Sequence, residues 1–208
     1  MKVITPRQQD RRNRILECTR QQVAYLGYDG VNMRDLAVEA DVSTATLYNL
    51  FKSKDDLILA ASQDLLADIA GQVGKKERGL NLFLARYMAT ADTIIANPKY
   101  AEAMGRMLFA AEPSAPIVNL MIGQSRDQIV SELKEMQSQG ELIEGIDLEK
   151  LARNIAGVSW SAILLLMKGF IALHDFREEY MGNIINMLLP WLTDETAKRC
   201  REMTSIPR

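Results

Sequence analysis

Histidine occurs once in the 208 residues, at position 174, and cysteine twice, at 18 and 200. One imidazole cannot build a histidine cluster. Two thiols so far apart, without a CxxC spacing, support neither a structural zinc site nor a disulfide framework. Nucleophile–base chemistry also needs a base, and His174 stands beside Asp175 near a helix end, where capping or plain exposure is its expected role. No pair of carboxylates falls inside an apolar stretch, so an enzyme is not expected, nor is a cofactor or a metal. Pro and Gly are few, at 6 and 12 residues, and neither an internal repeat nor a low-complexity segment is visible. The first residues, MKVITPRQQDRRNR, are polar and basic with no apolar core of a signal peptide. The nearest thing to a long hydrophobic run is residues 155–173, IAGVSWSAILLLMKGFIAL, which Lys168 and two serines interrupt. It predicts a buried helix rather than a membrane span, and the protein is expected to be cytoplasmic.

What the chain does have is a division of charge. Its 25 Lys and Arg nearly balance 27 Asp and Glu, for a net charge of −2. Residues 1–54 nevertheless hold nine basic side chains against six acidic ones, and the remainder holds 16 against 21. A basic first quarter on an acidic body is the composition of a polyanion-binding head carried by a body with another task.

The helical period dominates, and no stretch alternates as a strand would. A first helix is expected over about 7–26, with Ile15, Cys18, Thr19, Val23 and Leu26 on one face and Gly27 as its stop. Asn32 then caps a helix, with Asp35 as its capping-box partner and Val31 and Leu36 as a hydrophobic staple. Eleven residues on the arrangement recurs, with Ser43 as the cap and Val42 and Leu47 as the staple. Two stapled starts that close together describe short helices joined by a tight turn at 40–42: a helix-turn-helix. Ser53 begins the next helix, which Leu57, Ile58, Ala61, Leu65, Leu66 and Ile69 carry to about Val73. Beyond GKKERG, helices are expected at about 80–96, from Pro98, at 117–138, at 148–173 and at 177–192, with loops at EPSAP and QGELIEGID and a polar tail.

In the stub that follows Ser43, Leu47 and Phe51, with Leu50 alongside, face back toward Leu36, Ala37 and Ala40. Thr44, Ala45, Thr46, Tyr48 and Asn49 are left pointing outward. Small polar residues at the leading end of a protruding helix suit the DNA major groove. Thr46 has the chemistry to bond bases or phosphate, and the Thr44 and Ala45 methyls to meet thymine methyls. Tyr48 reaches as far as a phosphate oxygen, and Asn49 suits either partner. Lys52 and Lys54 flank the next helix N-terminus, where free backbone N–H groups already favour an anion. Arg34, Arg11 and Arg12 add charge around the same module, for contacts that set register without reading sequence.

Residues 27–57, GYDGVNMRDLAVEADVSTATLYNLFKSKDDL, resemble the DNA-binding head of the tetracycline-repressor (TetR) family of bacterial regulators. The spacing from Gly27 through LAVEADVS to TLYNLF and SKDDL matches that pattern without a gap. Asn32 stands where Thr is usual, Asp41 replaces a frequent Gly, Lys52 stands where Gly often occurs, and Gln22 takes a position that is usually apolar. The resemblance implies an all-α chain, with a three-helix head at 1–54 and a helical effector-binding and dimerisation domain at 55–208. It implies a homodimer through helices at about 148–173 and 177–192. The apolar surplus there, and Ala156, Gly157, Ser159 and Ala162 as points of close approach, support the same reading. It also implies a small-molecule pocket among the middle helices. Phe83, Tyr87, Met88, Met104, Met107, Phe109, Met121, Trp160 and Met167 are the candidate liners, and a largely apolar effector the expected ligand. The expected function is a repressor that such an effector releases from operator DNA. The alternative is a helical DNA-binding or interaction protein without an effector pocket.

Overall fold

A computed structural model of the chain describes residues 5–72, 77–108 and 116–204. Val73, Phe109 and most of the two loops expected at 74–79 and 112–116 fall outside the described residues. Among those described, the fold is all-α: ten α-helices, and one isolated bridge between Leu142 and Leu192. The helices are α1 (Pro6–Gly30), α2 (Met33–Glu39), α3 (Thr44–Leu50), α4 (Lys54–Gln72) and α5 (Gly79–Ala96). They continue with α6 (Pro98–Leu108), α7 (Pro116–Ser138), α8 (Leu148–Met167), α9 (Phe176–Leu188) and α10 (Asp194–Thr204). No described helix is long and apolar enough to cross a membrane. The chain forms two compact units, one of residues 1–68 with 97–119, the other of 69–96 with 120–208.

In the first unit α1 opens on a capping box, Thr5 receiving the Gln8 N–H while the Gln8 side chain receives that of Thr5. Gly27 breaks the helix, as its type suggests, with φ +70 and ψ 177; a last turn then carries α1 on to Gly30. The buried face holds Ile15, Leu16, Thr19, Gln22 and Val23. Two expectations fail here: Cys18 is only half-buried and Leu26 is exposed, because the inward stripe turns at Leu16 and Gln22 instead. Gln22 is tolerated among apolar neighbours because its amide donates to Glu39 of α2 at 2.8 Å. Ile15, Leu16, Leu36, Leu47, Leu57 and Ile58 are all at 0% exposure and form the head's core. Each is worth about 1.5–3 kcal/mol in burial, so α3 needs only Leu47 and Phe51 to hold it down. Leu50 does not join them; it is exposed, one step round the helix from Phe51. α6 packs along α1, so this compact unit is larger than the three-helix head.

The second unit is built on α5, α8 and α9, with α9 in contact with both of the others. Its core includes Leu80, Phe83, Leu84, Leu133, Ile155, Ile184, Ile185 and Leu188. Helix α8 ends at Met167, short of Leu173, because Gly169 takes φ +74 and the chain turns back through Phe170, whose N–H bonds the Leu165 carbonyl. The next helix stops at Leu188 and runs into a 3₁₀ turn, Leu189–Trp191, since Pro190 cannot continue the ladder. The polar tail is a helix too. Thr196, Ala197 and Cys200 of α10 are buried on a three-to-four spacing that its charge conceals. Ala156, Ser159 and Ala162 are buried within their own chain, which leaves Gly157 as the exposed member of the small-residue set.

Candidate nucleic-acid interface

Both short helices of the head start as their cap residues require. Asn32 Oδ1 accepts from Arg34 N at 2.8 Å, one position earlier than a capping box with Asp35 would have it. Ser43 Oγ accepts from Thr46 N at 3.1 Å and lies 2.8 Å from the Thr46 hydroxyl. Between them the turn passes through Asp41, whose φ of +52 is the one left-handed value at a described residue other than glycine. Asp is among the few side chains that tolerate it, so the replacement of the frequent Gly is structurally neutral.

With Leu47 at 0% and Phe51 at 3% exposure, the opposite face of α3 is set by geometry. Ala45, Tyr48 and Asn49 are exposed, Tyr48 at 50%, while Thr44 and Thr46 are half-buried at the leading edge. The Arg12 guanidinium sits 5.1 Å over the Phe51 ring, and Arg14 Nε donates to the Ala40 carbonyl at 2.9 Å. Two α1 cations thus brace the turn and the end of α3, while Arg11, Arg34 and Lys52 stay exposed.

Helix α4 begins behind this module. Ser53 Oγ accepts from Asp56 N at 3.0 Å, and Lys54 occupies the first turn. Its ammonium lies 4.4 Å from the Tyr28 ring centre and 3.4 Å from the Asp29 carbonyl. The Tyr28 hydroxyl donates to Asp55 Oδ1 at 2.5 Å. Burial and then the Asp55 carboxylate push the Tyr28 pKa up to about 12, so the phenol remains a donor at neutral pH. Further along, Arg20 of α1 bonds Asp64 at 3.0 Å and the Ala61 carbonyl at 3.3 Å, which fixes α4 against α1. Burial alone would lower the Arg20 pKa, but its hydrogen bonds to Asp64 and Glu17 outweigh it and leave it raised. Tyr28–Asp55, Arg14–Ala40 and Arg20–Asp64 escape a reading by local spacing, because the members of each pair lie more than twenty residues apart.

The residues expected to line a pocket are distributed between the units. Met104 is buried and Met107 half-buried in α6 of the first unit. In the second, Phe83 and Tyr87 are buried core residues with ring centres 4.7 Å apart. They continue through Tyr180, 6.0 Å from Tyr87, to Phe176. Trp160 and Met167 pack half-buried against that core, and Met88 is 43% exposed. Met121 belongs to α7, and Phe109 lies outside the described residues. Arg86 is paired with Glu132 through two nitrogens, one at 2.6 Å, and lies 4.6 Å over Tyr87. Burial drives the Tyr87 pKa upward, and the phenol is neutral at any ordinary pH. Among the described residues no group of His, Cys, Asp and Glu is arranged to hold a metal ion.

Residues 15–61 match the family model of the bacterial regulatory proteins, tetR family. The chain is 32% identical over 167 residues to the HTH-type transcriptional repressor KstR of Mycolicibacterium smegmatis, a match covering 76% of each protein. Against the KstR of Rhodococcus jostii it is 32% identical over 125 residues, 59% of this chain and 58% of that protein. Among solved structures, TylP, a TetR regulator from Streptomyces fradiae, superposes with a TM-score of 0.72 at 17% identity over 94% of both chains. At that identity the likeness speaks for the fold. The match to the M. smegmatis protein extends well beyond the helix-turn-helix, and the chain therefore belongs to the TetR family of bacterial regulatory proteins: a DNA-binding transcription regulator and not an enzyme.

Proposed function

We propose that the protein is a homodimeric repressor that reads an operator with α3 and leaves it when a small, largely apolar effector binds the second unit. The observation that carries the DNA half is the outward edge of α3: Ala45, Tyr48 and Asn49 exposed, and Thr46 at the front with its hydroxyl beside the capping Ser43. Thr44, Ala45, Thr46 and Asn49 meet bases, Tyr48 reaches a phosphate, and Arg34, Lys52 and Lys54 contact phosphates. The proposed functional boundary falls at residues 54 and 55, with DNA contact before it and effector binding and dimerisation after it. Two 32%-identical relatives named as repressors favour repression over activation.

Dimerisation through α8 and α9 is supported by two glycines that their own subunit does not require. A Cβ on Gly157 or Gly182 would meet nothing within 4 Å, yet each sits inside a helix, where glycine costs about 1 kcal/mol relative to alanine. An approaching partner backbone accounts for both. Leu165 and Trp191, each 38% exposed, supply apolar surface nearby in sequence. The recognition helices of such a dimer stand roughly 34 Å apart, one turn of DNA. Effector binding is transmitted along α4, whose residues run from the first unit into the second. Effector and operator then oppose each other reciprocally.

Selecting bound duplexes from a random pool tests the DNA reading. Thr46→Ala is expected to cost about 1–3 kcal/mol on the selected sequence and little on random DNA. Equal losses on both would remove Thr46 from the bases. Titrating a bound effector without any change in operator affinity at constant salt would overturn the switch.

A further inference from the structure

The lysine at the start of α4 is not a free surface charge. Gly27, at φ +70, turns the chain so that Tyr28 leaves the line of α1 and meets the first turn of α4. Its hydroxyl is gripped by Asp55 at 2.5 Å, and the Lys54 ammonium rests over its ring at 4.4 Å, with the Asp29 carbonyl 3.4 Å away. A ring tethered at its far end by a carboxylate holds its face in one orientation, and that face is where a cation is attracted. We infer that Tyr28, anchored by Asp55, is a positioning residue that holds the Lys54 ammonium ready for a DNA phosphate, an inference that rests on the phosphate role proposed for Lys54.

The physical gain is preorganisation. A lysine side chain has four flexible carbons, and ordering it on contact with DNA subtracts from binding. Here the lysine is already half-buried and its ammonium already placed before DNA arrives. Asp55 bears a charge that a phosphate repels, and the phenol occupies the oxygen that bonds it. The hydroxyl remains a donor throughout the pH range of DNA binding, because burial and Asp55 keep its pKa far above neutrality. The other cations of the head differ: Arg11, Arg34 and Lys52 are exposed, and Arg12 lies over the Phe51 ring, which has no hydroxyl for a carboxylate to tether.

A double-mutant cycle on a short random-sequence duplex tests the inference, with salt titrated in every arm and thermal unfolding followed in parallel. Lys54→Ala is expected to reduce the slope of log affinity against log salt by about one. Tyr28→Phe keeps the ring and the lysine charge, so the slope should persist while affinity falls about fivefold. In the Lys54→Ala background the same substitution should do nothing further. Asp55→Ala enters a second cycle with Lys54→Ala and carries the test if Tyr28→Phe impairs folding. The repulsion it relieves is largely common to both of its arms, so the coupling with Lys54 is what is read. Tyr28→Phe and Asp55→Ala effects that are absent, or equal with and without Lys54, overturn the positioning role while leaving the phosphate contact intact. A salt slope untouched by Lys54→Ala overturns the phosphate contact, and this inference falls with it.

Discussion

At the scale of single residues, polar groups carry the information that hydrophobic pattern cannot. Glu132 is 6% exposed and faces the Arg86 guanidinium with both oxygens, and Gln128 donates to Oε1 at 2.9 Å. Removing one member of a buried pair strands the other charge, so Glu132→Ala is expected to destabilise the protein by about 3–5 kcal/mol in urea unfolding. A loss below about 1 kcal/mol would mean that water already reaches the pair. Tyr28 makes a pH-dependent contribution. Its folded pKa of about 12 lies above the ordinary 10.0, so the folded state keeps the proton more tightly than the unfolded chain does. The contribution is therefore fully present below about pH 10 and is lost as pH climbs toward 12. Unfolding experiments at about pH 9 and pH 11.5 should show the native chain losing more stability than Tyr28→Phe. Parallel losses would place the phenol's partner elsewhere.

At the scale of elements, the start of α5 depends on a residue 61 positions away. Glu141 Oε2 accepts from Leu80 N at 2.7 Å, and its other oxygen pairs with Arg199 of α10. Gly79 stands at φ +53, and a Cβ there would run into both Glu141 and the Gln139 side chain. Gly79→Ala thus combines a left-handed backbone penalty with displacement of the carboxylate that caps the helix, an expected loss of about 2–4 kcal/mol in thermal or chemical unfolding. A neutral outcome would mean that the loop before α5 has another conformation of similar energy. The same residue helps to hold the polar tail as a helix. Arg199 reaches Glu141, the Thr193 N–H bonds the Glu141 carbonyl at 3.0 Å, and Cys200 is fully buried. None of these partners is local, so helix periodicity in the tail alone is too weak to announce α10.

For the whole molecule, the issue is what the second unit leaves uncovered. Most of the apolar residues of α8 and α9 are consumed within the chain, Ile184, Ile185 and Leu188 at 0% exposure, so surplus hydrophobicity is a poorer argument for a dimer than its composition suggests. The better argument is Gly157, which faces outward into open space. Gly157→Leu should leave the fold of the subunit intact and shift the proposed dimer toward monomer in sedimentation. An unchanged dimer with a leucine at that position would move the interface elsewhere. The weakened dimer should also lose operator affinity far more than random-DNA affinity, since only paired heads span two half-sites.

By itself the sequence determined the starts of α2, α3 and α4, and with them the head. Asn32, Ser43 and Ser53 act on backbone groups two or three residues away, and Leu36 and Leu47 are fully buried four residues beyond their own caps, so the physics is local and can be read in order along the chain. Only the tertiary structure decided which small and apolar residues are spent inside the subunit, that Leu26 and Leu50 stay outside, and that the buried Gln22 side chain donates to Glu39. It alone joined Tyr28 to Asp55 and Arg20 to Asp64. Those outcomes turn on which helix faces cross one another, and a contact between residues 27 or 44 positions apart leaves no periodic trace in either segment.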